Sequence, residues 1–204
     1  MFIKGWNKDV LLIEMAGGEF CGNAIRAVMY YLNLTQGKTC AQIKYVNYPF
    51  VVSCECVESN CSFKANIHDI VKRFIEIKKG FNKVEMDGIT HYIVEPKSEY
   101  FKCRNNKQKT GELIKQLNGG EMSIGIMYLQ NFKMKAYVYV KNVNTLCCET
   151  ACGSGTIACA MLFKDSETVQ IKQASGEYLS VEFNEDKLTL SGKCEMLLQD
   201  YITI

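Results

Sequence analysis

Two segments of the chain resemble one another, and they limit the possible fold more than any other feature. Residues 16–30 read AGGEFCGNAIRAVMY, and residues 149–161 read ETACGSGTIACAM. Each segment places a Cys-Gly pair beside small polar residues and continues as an apolar, alanine-rich stretch of helix-forming composition. Cys21 and Cys152 therefore each mark the start of a predicted helix, 131 residues apart. The repeat predicts an internal duplication with one buried helix in each half.

The remaining segments are mainly predicted strands, because β-branched and aromatic residues are frequent and partly alternate with polar ones. Strands are predicted over 42–48, 50–57, 62–67, 88–95, 124–129, 134–140, 169–171, 178–183 and 187–191. Further helices are predicted over 69–78 and 110–117. The expected fold class is α/β, in the α+β sense, with two β-rich halves that meet near residues 83–87.

Composition and charge exclude several classes of function. The 204 residues include 24 Lys and Arg against 22 Asp and Glu, so no basic excess points to nucleic acid. The apolar run at residues 10–13 stops at Glu14, which is too short for a signal peptide or a membrane span. We therefore expect a cytoplasmic protein with neither nucleic-acid nor membrane partners, and we leave a homodimer open.

The chain holds 11 cysteines, which raises the question of a metal site or disulfides. Structural zinc usually requires a C-x2-C pair or cysteine close to histidine, and the sequence has no C-x2-C and only two histidines. We expect no metal ion and no other cofactor. Beyond Cys21 and Cys152, the thiols have no spacing that demands a role, and most are predicted to be small buried hydrophobic residues.

A thiol at a helix N-terminus lies beside the positive end of the helix dipole and free backbone N–H groups, which predicts a lowered pKa. The amides of Gly22 and Asn23, and those of Gly153 and Ser154, form an anion site suited to a carboxylate. Two such half-sites facing each other place an α-carboxylate between two thiols. One thiolate then removes the α-proton from one face while the other thiol protonates the opposite face, which inverts the carbon without a cofactor.

These residues resemble the motifs of the diaminopimelate epimerase family. Residues 19–26 (EFCGNAIR) are similar to the first catalytic motif, residues 149–155 (ETACGSG) to the second, and residues 87–91 (DGITH) to the start of a strand in the second lobe. The resemblance implies two pseudo-symmetric lobes, each a curved, mostly antiparallel sheet around a central helix, and a pyridoxal-phosphate-independent isomerase. It implies Cys21 and Cys152 as the catalytic acid and base.

The same resemblance implies an amino acid as the small-molecule substrate, bound through Gly22, Asn23, Gly153 and Ser154. Glu149 and His91 are further candidate substrate-binding residues. Either could instead be structural, Glu149 as a solvated carboxylate and His91 as a hydrogen-bonded strand residue. Glu19, like Glu149, is either a substrate-binding residue or a solvated carboxylate.

The chain departs from the family pattern in three places. Only 20 residues precede the first cysteine, so the first lobe, residues 1–85, is expected to be shortened. The second lobe is expected over 86–194, with 195–204 as a C-terminal strand returning to the first lobe. The family's Glu-Arg-Gly is replaced by residues 142–148 (NVNTLCC), which argues against diaminopimelate as substrate. Residues 17–20 (GGEF) are similar to the histidine racemase branch.

Two other interpretations remain open at this point. One is a catalytically inactive relative that serves as a binding or structural protein. The other is an isomerase of the phenazine-biosynthesis type, which shares the fold and uses a carboxylate in place of paired thiols. The presence of both Cys21 and Cys152 argues against the second alternative.

Overall fold

The structure is a computed structural model that describes residues 1–117 and 119–196. Most of it is β-sheet, and four α-helices lie among the described residues. The strands are β1 (Phe2–Asn7), β2 (Val10–Glu14), β3 (Cys40–Tyr45), β4 (Val52–Val57), β5 (Asn60–Asn66), β6 (Val71–Lys78), β7 (Phe81–Met86), β8 (Ile89–Val94), β9 (Ser123–Gln130), β10 (Lys133–Val140), β11 (Thr145–Glu149), β12 (Thr168–Lys172), β13 (Tyr178–Asn184) and β14 (Lys187–Lys193). The helices are α1 (Gly22–Gln36), α2 (Ile67–Ile70), α3 (Lys107–Leu117) and α4 (Gly153–Ala160).

The strands form one continuous sheet in the order β1-β2-β3-β4-β5-β14-β13-β12-β10-β9-β8-β7-β6, with β11 paired to β10. Most neighbours are antiparallel, while β2–β3, β8–β9 and β10–β12 are parallel. Strand β5 pairs with β14 along its whole length, which joins the first part of the chain to the last. The mixed sheet with few helices confirms the predicted α+β class.

Helices α1 and α4 supply the centre of the main hydrophobic core. In α1 the buried positions include Ala24, Ile25, Val28, Met29 and Leu32, which recur at the spacing of one helix face. Every residue of α4 is buried. Helix α1 packs on β3, β4 and β5, and α4 packs on β8, β9, β12 and β13. Each Cys-Gly segment therefore opens a central helix, as the repeat predicts.

One prediction of secondary structure was wrong. Residues 69–78 were expected to form a helix, because Ile70, Phe74 and Ile77 recur at helical spacing. The structure instead has the single-turn helix α2 followed by strand β6, which pairs antiparallel with β7. The β-branched residues in the segment favour a strand once a partner strand is available. The predicted strands over 88–95, 124–129 and 134–140, and the closing meander over 169–191, are confirmed.

The division into lobes at residues 85 and 86 stays a prediction. Its third part, residues 195–204, lies mostly outside the described residues. Cys56 and Cys61, whose spacing indicated no role, face each other across the β4–β5 hairpin as a disulfide pair with Cα atoms 4.2 Å apart. Among the described residues, no helix is long and apolar enough to cross a membrane.

Candidate active site

Cys21 and Cys152 occupy equivalent positions at the starts of α1 and α4. Each is the N-cap residue of its helix, with φ −134° and ψ 103° at Cys21 and φ −135° and ψ 107° at Cys152. Cys152 is 5% exposed and Cys21 retains partial exposure. The structure thus brings the two predicted catalytic residues to matching places with the same backbone conformation.

The two helix starts touch through their glycines. A Cβ atom added to Gly153 would lie 2.8 Å from the backbone nitrogen of Asn23 and 3.0 Å from the carbonyl carbon of Gly22. A Cβ added to Gly22 would lie 3.3 Å from the carbonyl carbon of Gly153. Glycine at these positions is required by the close approach of two backbones. The first-turn amides of both helices consequently converge on one small region.

Asn23 ties the two helix starts together. Its Nδ2 donates to the carbonyl oxygen of Ala151 at 2.9 Å, directly before Cys152. Its Oδ1 accepts from the guanidinium of the buried Arg26 at 3.2 Å. The side chain of Asn23 therefore links the two helix starts. At the predicted carboxylate site, we expect Asn23 to contribute only its backbone N–H.

The net pKa shift of both thiols is upward, opposite to the lowered pKa values that the sequence predicts. Burial raises the pKa of Cys21 from 9.0 to about 11, while the amides of Ala24 and Asn23 act in the lowering direction. Burial and the Glu149 carboxylate raise the pKa of Cys152 well above its usual value, against a lowering contribution from the Gly155 amide. Desolvation of the charged form outweighs the few N–H groups of one helical turn.

Two carboxylates accompany the thiols. Glu149, the last residue of β11, lies near Cys152, and its negative charge contributes to raising the pKa of that thiol. Burial raises the pKa of the Glu149 carboxyl group itself. Glu19 lies near Cys21, and its negative charge contributes to raising the pKa of that thiol. The Oε2 atom of Glu19 is buried without a hydrogen-bond partner among the described residues. Each thiol thus has an acidic neighbour that precedes it in the chain.

His91 lies behind Ser154, away from solvent. Its ring is fully buried on β8, and Nε2 lies 3.0 Å from the Ser154 hydroxyl oxygen. The same hydroxyl is 3.7 Å from the Cys152 sulfur. Burial lowers the pKa of His91 to about 3, which keeps the ring neutral. His91 therefore contacts Ser154 from the buried side, and its substrate-binding role stays a prediction.

A groove of about 640 Å³ lies beside the thiols. Asn23 and Ala151 lie in its wall together with Arg26 and residues of the β13–β14 end of the sheet. Neither Cys21 nor Cys152 lines this groove.

Three contacts at the site involve residues that the motifs do not include. Tyr45 contacts the backbone of Cys21, and Gln173 contacts the backbone of Cys152. Asn142 donates through Nδ2 to the carbonyl oxygen of Gly17 at 3.2 Å. Asn142 belongs to the segment that replaces the family's Glu-Arg-Gly. Tyr45 and Gln173 are more than 20 residues from their cysteines, so no local spacing could have indicated them.

Comparison with known proteins agrees with this geometry. Residues 2–194 match the family model described as the histidine racemase CntK N-terminal domain. The chain belongs to this family. It is accordingly an isomerase of the amino-acid racemase class, as the resemblance implied.

Two curated relatives of the racemase are similar along nearly its whole length. A histidine racemase from Fusobacterium nucleatum subsp. nucleatum strain ATCC 25586 is 30% identical over 226 aligned residues, which cover 98% of this chain and 80% of the relative. A histidine racemase from strain ATCC 23726 of the same subspecies is 27% identical, covering 94% of this chain and 78% of the relative.

Solved structures show the same fold at low sequence identity. A phenazine-biosynthesis protein from Enterococcus faecalis superposes with a TM-score of 0.59 at 12% identity, over 95% of this chain and 78% of the other. A protein from Pseudomonas aeruginosa described as a predicted epimerase gives a TM-score of 0.58 at 11% identity, over 94% of this chain and 80% of the other. At these identities the likeness concerns the fold and carries no conclusion about the reaction.

Proposed function

We propose that this chain is a pyridoxal-phosphate-independent histidine racemase in which Cys21 and Cys152 are the paired acid and base. The observation that carries the mechanism is that both cysteines are N-cap residues with nearly the same backbone conformation, at two helix starts that are in contact. Histidine as substrate rests on the two curated relatives. The replacement of the Glu-Arg-Gly segment supports excluding diaminopimelate.

Binding begins with the substrate carboxylate at the converging first-turn amides of α1 and α4. Backbone N–H groups at a helix start are free of intrahelical partners and favour anions. Fixing both carboxylate oxygens places the Cα–H bond between Cys21 and Cys152. The same amides are positioned to stabilise the negative charge that develops on the carboxylate as the α-proton leaves.

The inversion itself moves two protons. The thiolate sulfur forms a bond to the α-proton as the Cα–H bond breaks, and the electron pair of that bond delocalises into the carboxylate. The second thiol then donates its proton to the opposite face of Cα and becomes the thiolate. The net charge of the site is unchanged, and the enzyme is left in the form that binds the opposite enantiomer.

Glu149 is the group that takes the proton from Cys152. This carboxylate lies near enough to Cys152 for its charge to raise the pKa of the thiol, and burial raises the carboxyl pKa toward that of a thiol. A smaller pKa difference between donor and acceptor makes the transfer less costly. The positively charged substrate ammonium group further favours thiolate in the occupied site, because an opposite charge nearby lowers a thiol pKa. The unpartnered Oε2 of Glu19 is a candidate acceptor for that ammonium group.

The test is incorporation of deuterium at Cα in D2O, followed across a panel of amino acids that includes L-histidine, D-histidine and diaminopimelate. We expect exchange and inversion of both histidine enantiomers under reducing conditions. Cys21→Ala and Cys152→Ala should each abolish racemisation. Cys159→Ala is the matched control, because Cys159 is a buried thiol of α4 that contacts Met134 and no catalytic group.

Three results would contradict the proposal. Racemisation at the wild-type rate by either catalytic variant would exclude the two-thiol mechanism. Exchange confined to another amino acid would retain the mechanism and overturn histidine as substrate. Absence of exchange with every amino acid would favour an inactive binding relative.

A further inference from the structure

Tyr45 holds both backbone polar groups of Cys21. Its hydroxyl oxygen accepts a hydrogen bond from the Cys21 N–H at 3.2 Å and donates to the Cys21 carbonyl oxygen at 2.7 Å. Tyr45 is only 4% exposed. A single phenol group therefore fixes the peptide units on either side of one catalytic residue.

Two side chains hold the same groups of Cys152. The Cys152 N–H donates to Gln173 Oε1 at 3.1 Å, and Thr156 Oγ1 donates to the Cys152 carbonyl oxygen at 2.7 Å. Gln173 Nε2 in turn donates to Thr156 Oγ1 at 3.0 Å. Gln173 is 4% exposed and Thr156 is fully buried. An amide and a hydroxyl together thus make the contacts that one phenol makes at Cys21.

The two sets of contacts come from equivalent places in the fold. Tyr45 is the last residue of β3, the strand that follows α1, and Gln173 directly follows β12, the strand that comes after α4. The N–H of a helix N-cap residue has no partner within its helix, and a buried N–H without a partner costs about 1–3 kcal/mol. Both halves of the chain supply that partner from the same position with different chemistry.

We propose that Tyr45 in the first half, and Gln173 with Thr156 in the second, are equivalent positioning residues that fix the two catalytic thiols in matching orientations. The inference rests on the proposed function for the catalytic role of the thiols. The positioning of the two N-cap residues can be tested without measuring activity, because it concerns which side chains bind their backbone groups.

The orientation matters because it determines which amides each sulfur meets. At Cys152 the sulfur accepts from the Gly155 N–H at 3.4 Å. At Cys21 the amides of Ala24 and Asn23 lower the thiol pKa. A freer N-cap backbone separates the sulfur from these amides, and the thiolate loses stabilisation at that one site.

The first measurement uses the unmodified protein. Selective labelling with 15N-cysteine allows amide hydrogen exchange to be followed at each cysteine by NMR. We expect slow exchange at Cys21 and Cys152, although both residues precede their helices. Exchange of these two amides at the rate of an unstructured peptide would overturn the proposal, whether or not any variant folds.

The second measurement compares Tyr45→Phe and Gln173→Leu in peptide-resolved alkylation by iodoacetamide without substrate. We expect Tyr45→Phe to slow alkylation of Cys21 relative to Cys152 by about threefold to tenfold, the size of one net hydrogen bond, and Gln173→Leu to shift the ratio the opposite way. Tyr48→Phe is the matched control, because Tyr48 also places a buried hydroxyl on two carbonyl groups but contacts neither cysteine. An unchanged ratio in both variants would overturn the proposal.

Racemisation supplies the third readout. Both variants should lower kcat about tenfold or more with little change in KM, because the misplacement affects the thiols more than the carboxylate site. Thr110→Val serves as the control for loss of a buried hydrogen-bonding side chain, since Thr110 is a buried residue of α3 whose hydroxyl contacts Tyr128 and neither Cys21 nor Cys152. If the wild-type chain fails to racemise histidine, the proposed function fails, while the exchange rates and the alkylation ratio still decide the role of Tyr45 and Gln173.

Discussion

Gly153→Ala should damage both the stability and the activity of the racemase. The added methyl would stand 2.8 Å from the Asn23 nitrogen, 2.9 Å from Asn23 Oδ1 and 3.0 Å from the Gly22 carbonyl carbon. Two of these atoms belong to the backbone of α1, which cannot swing away as the end of a side chain can. Overpacking of this kind lowers the free energy of unfolding by about 1–3 kcal/mol. Because the added methyl would meet backbone atoms, we expect a loss in the upper part of that range.

Helix propensity acts in the opposite direction, because replacing glycine with alanine stabilises a helix interior by about 1 kcal/mol. The net expectation for Gly153→Ala is a loss of about 2 kcal/mol. The two helix starts must also separate by a few tenths of an ångström or more. Since a misplacement of about 1 Å can cost 100-fold in rate, we expect kcat to fall about 10-fold to 100-fold.

Urea unfolding and initial racemisation rates by chiral chromatography measure the two effects. Gly111→Ala is the control, because a methyl there would meet only the flexible end of Leu146 at 3.2 Å, on a helix away from the thiols. That variant should be as stable as the wild type or more so, with unchanged kcat. A Gly153→Ala protein with wild-type midpoint and wild-type kcat would refute the close-approach argument.

Three further predictions concern pH and the link between the helix starts. Burial lowers the pKa of His91 from 6.5 to about 3, so below pH 6.5 the unfolded chain binds a proton that the native chain does not. The free energy of unfolding should therefore fall as the pH drops below 6.5. His91→Gln should reduce the difference between the unfolding free energies measured in urea at pH 7 and pH 5. Burial raises the pKa of Cys21 to about 11, so as the pH rises this thiol loses its proton in the unfolded chain before it does in the native protein. The free energy of unfolding should therefore decline between pH 9 and pH 11, and the decline should be less steep in Cys21→Ala. Asn23→Ala should lower the free energy of unfolding by about 1–2 kcal/mol, because it leaves the Ala151 carbonyl unpaired. Asn33→Ala should cost little, because the hydrogen bond from Asn33 Nδ2 to the Lys38 carbonyl oxygen is exposed to water. Equal losses in the two variants would refute the cross-link.

The position of the thiols could be predicted from the sequence, while their pKa values could not. A Cys-Gly pair before an apolar, alanine-rich stretch is a local signal, and helices α1 and α4 begin where it predicts. The pKa of each thiol depends on how much protein surrounds it, which is a property of the assembled fold. The helix N-terminus acts on Cys21 in the predicted direction, but burial has the larger effect.

The error over residues 69–78 has a related cause. The apolar residues of this segment fit a helical period, and only pairing with β7 makes it a strand. The pairing is irregular, with register shifts between Val71 and Arg73 and between Glu76 and Lys78. Such irregularity at the edge of a sheet blurs the alternation by which a strand is recognised in a sequence.

The pairing of β5 with β14 has a consequence for the order of events during synthesis. Residues 60–66 pair with β4 on one side and with residues 187–193 on the other, and the guanidinium of Arg26 donates to the carbonyl oxygen of Lys193 at 3.0 Å. Contacts so distant in sequence close slowly, because the intervening chain loses entropy before they form. On the ribosome, β5 therefore remains an open sheet edge until β14 has emerged. The helix that begins after Cys21 then acquires its final support from β14, the last strand among the described residues.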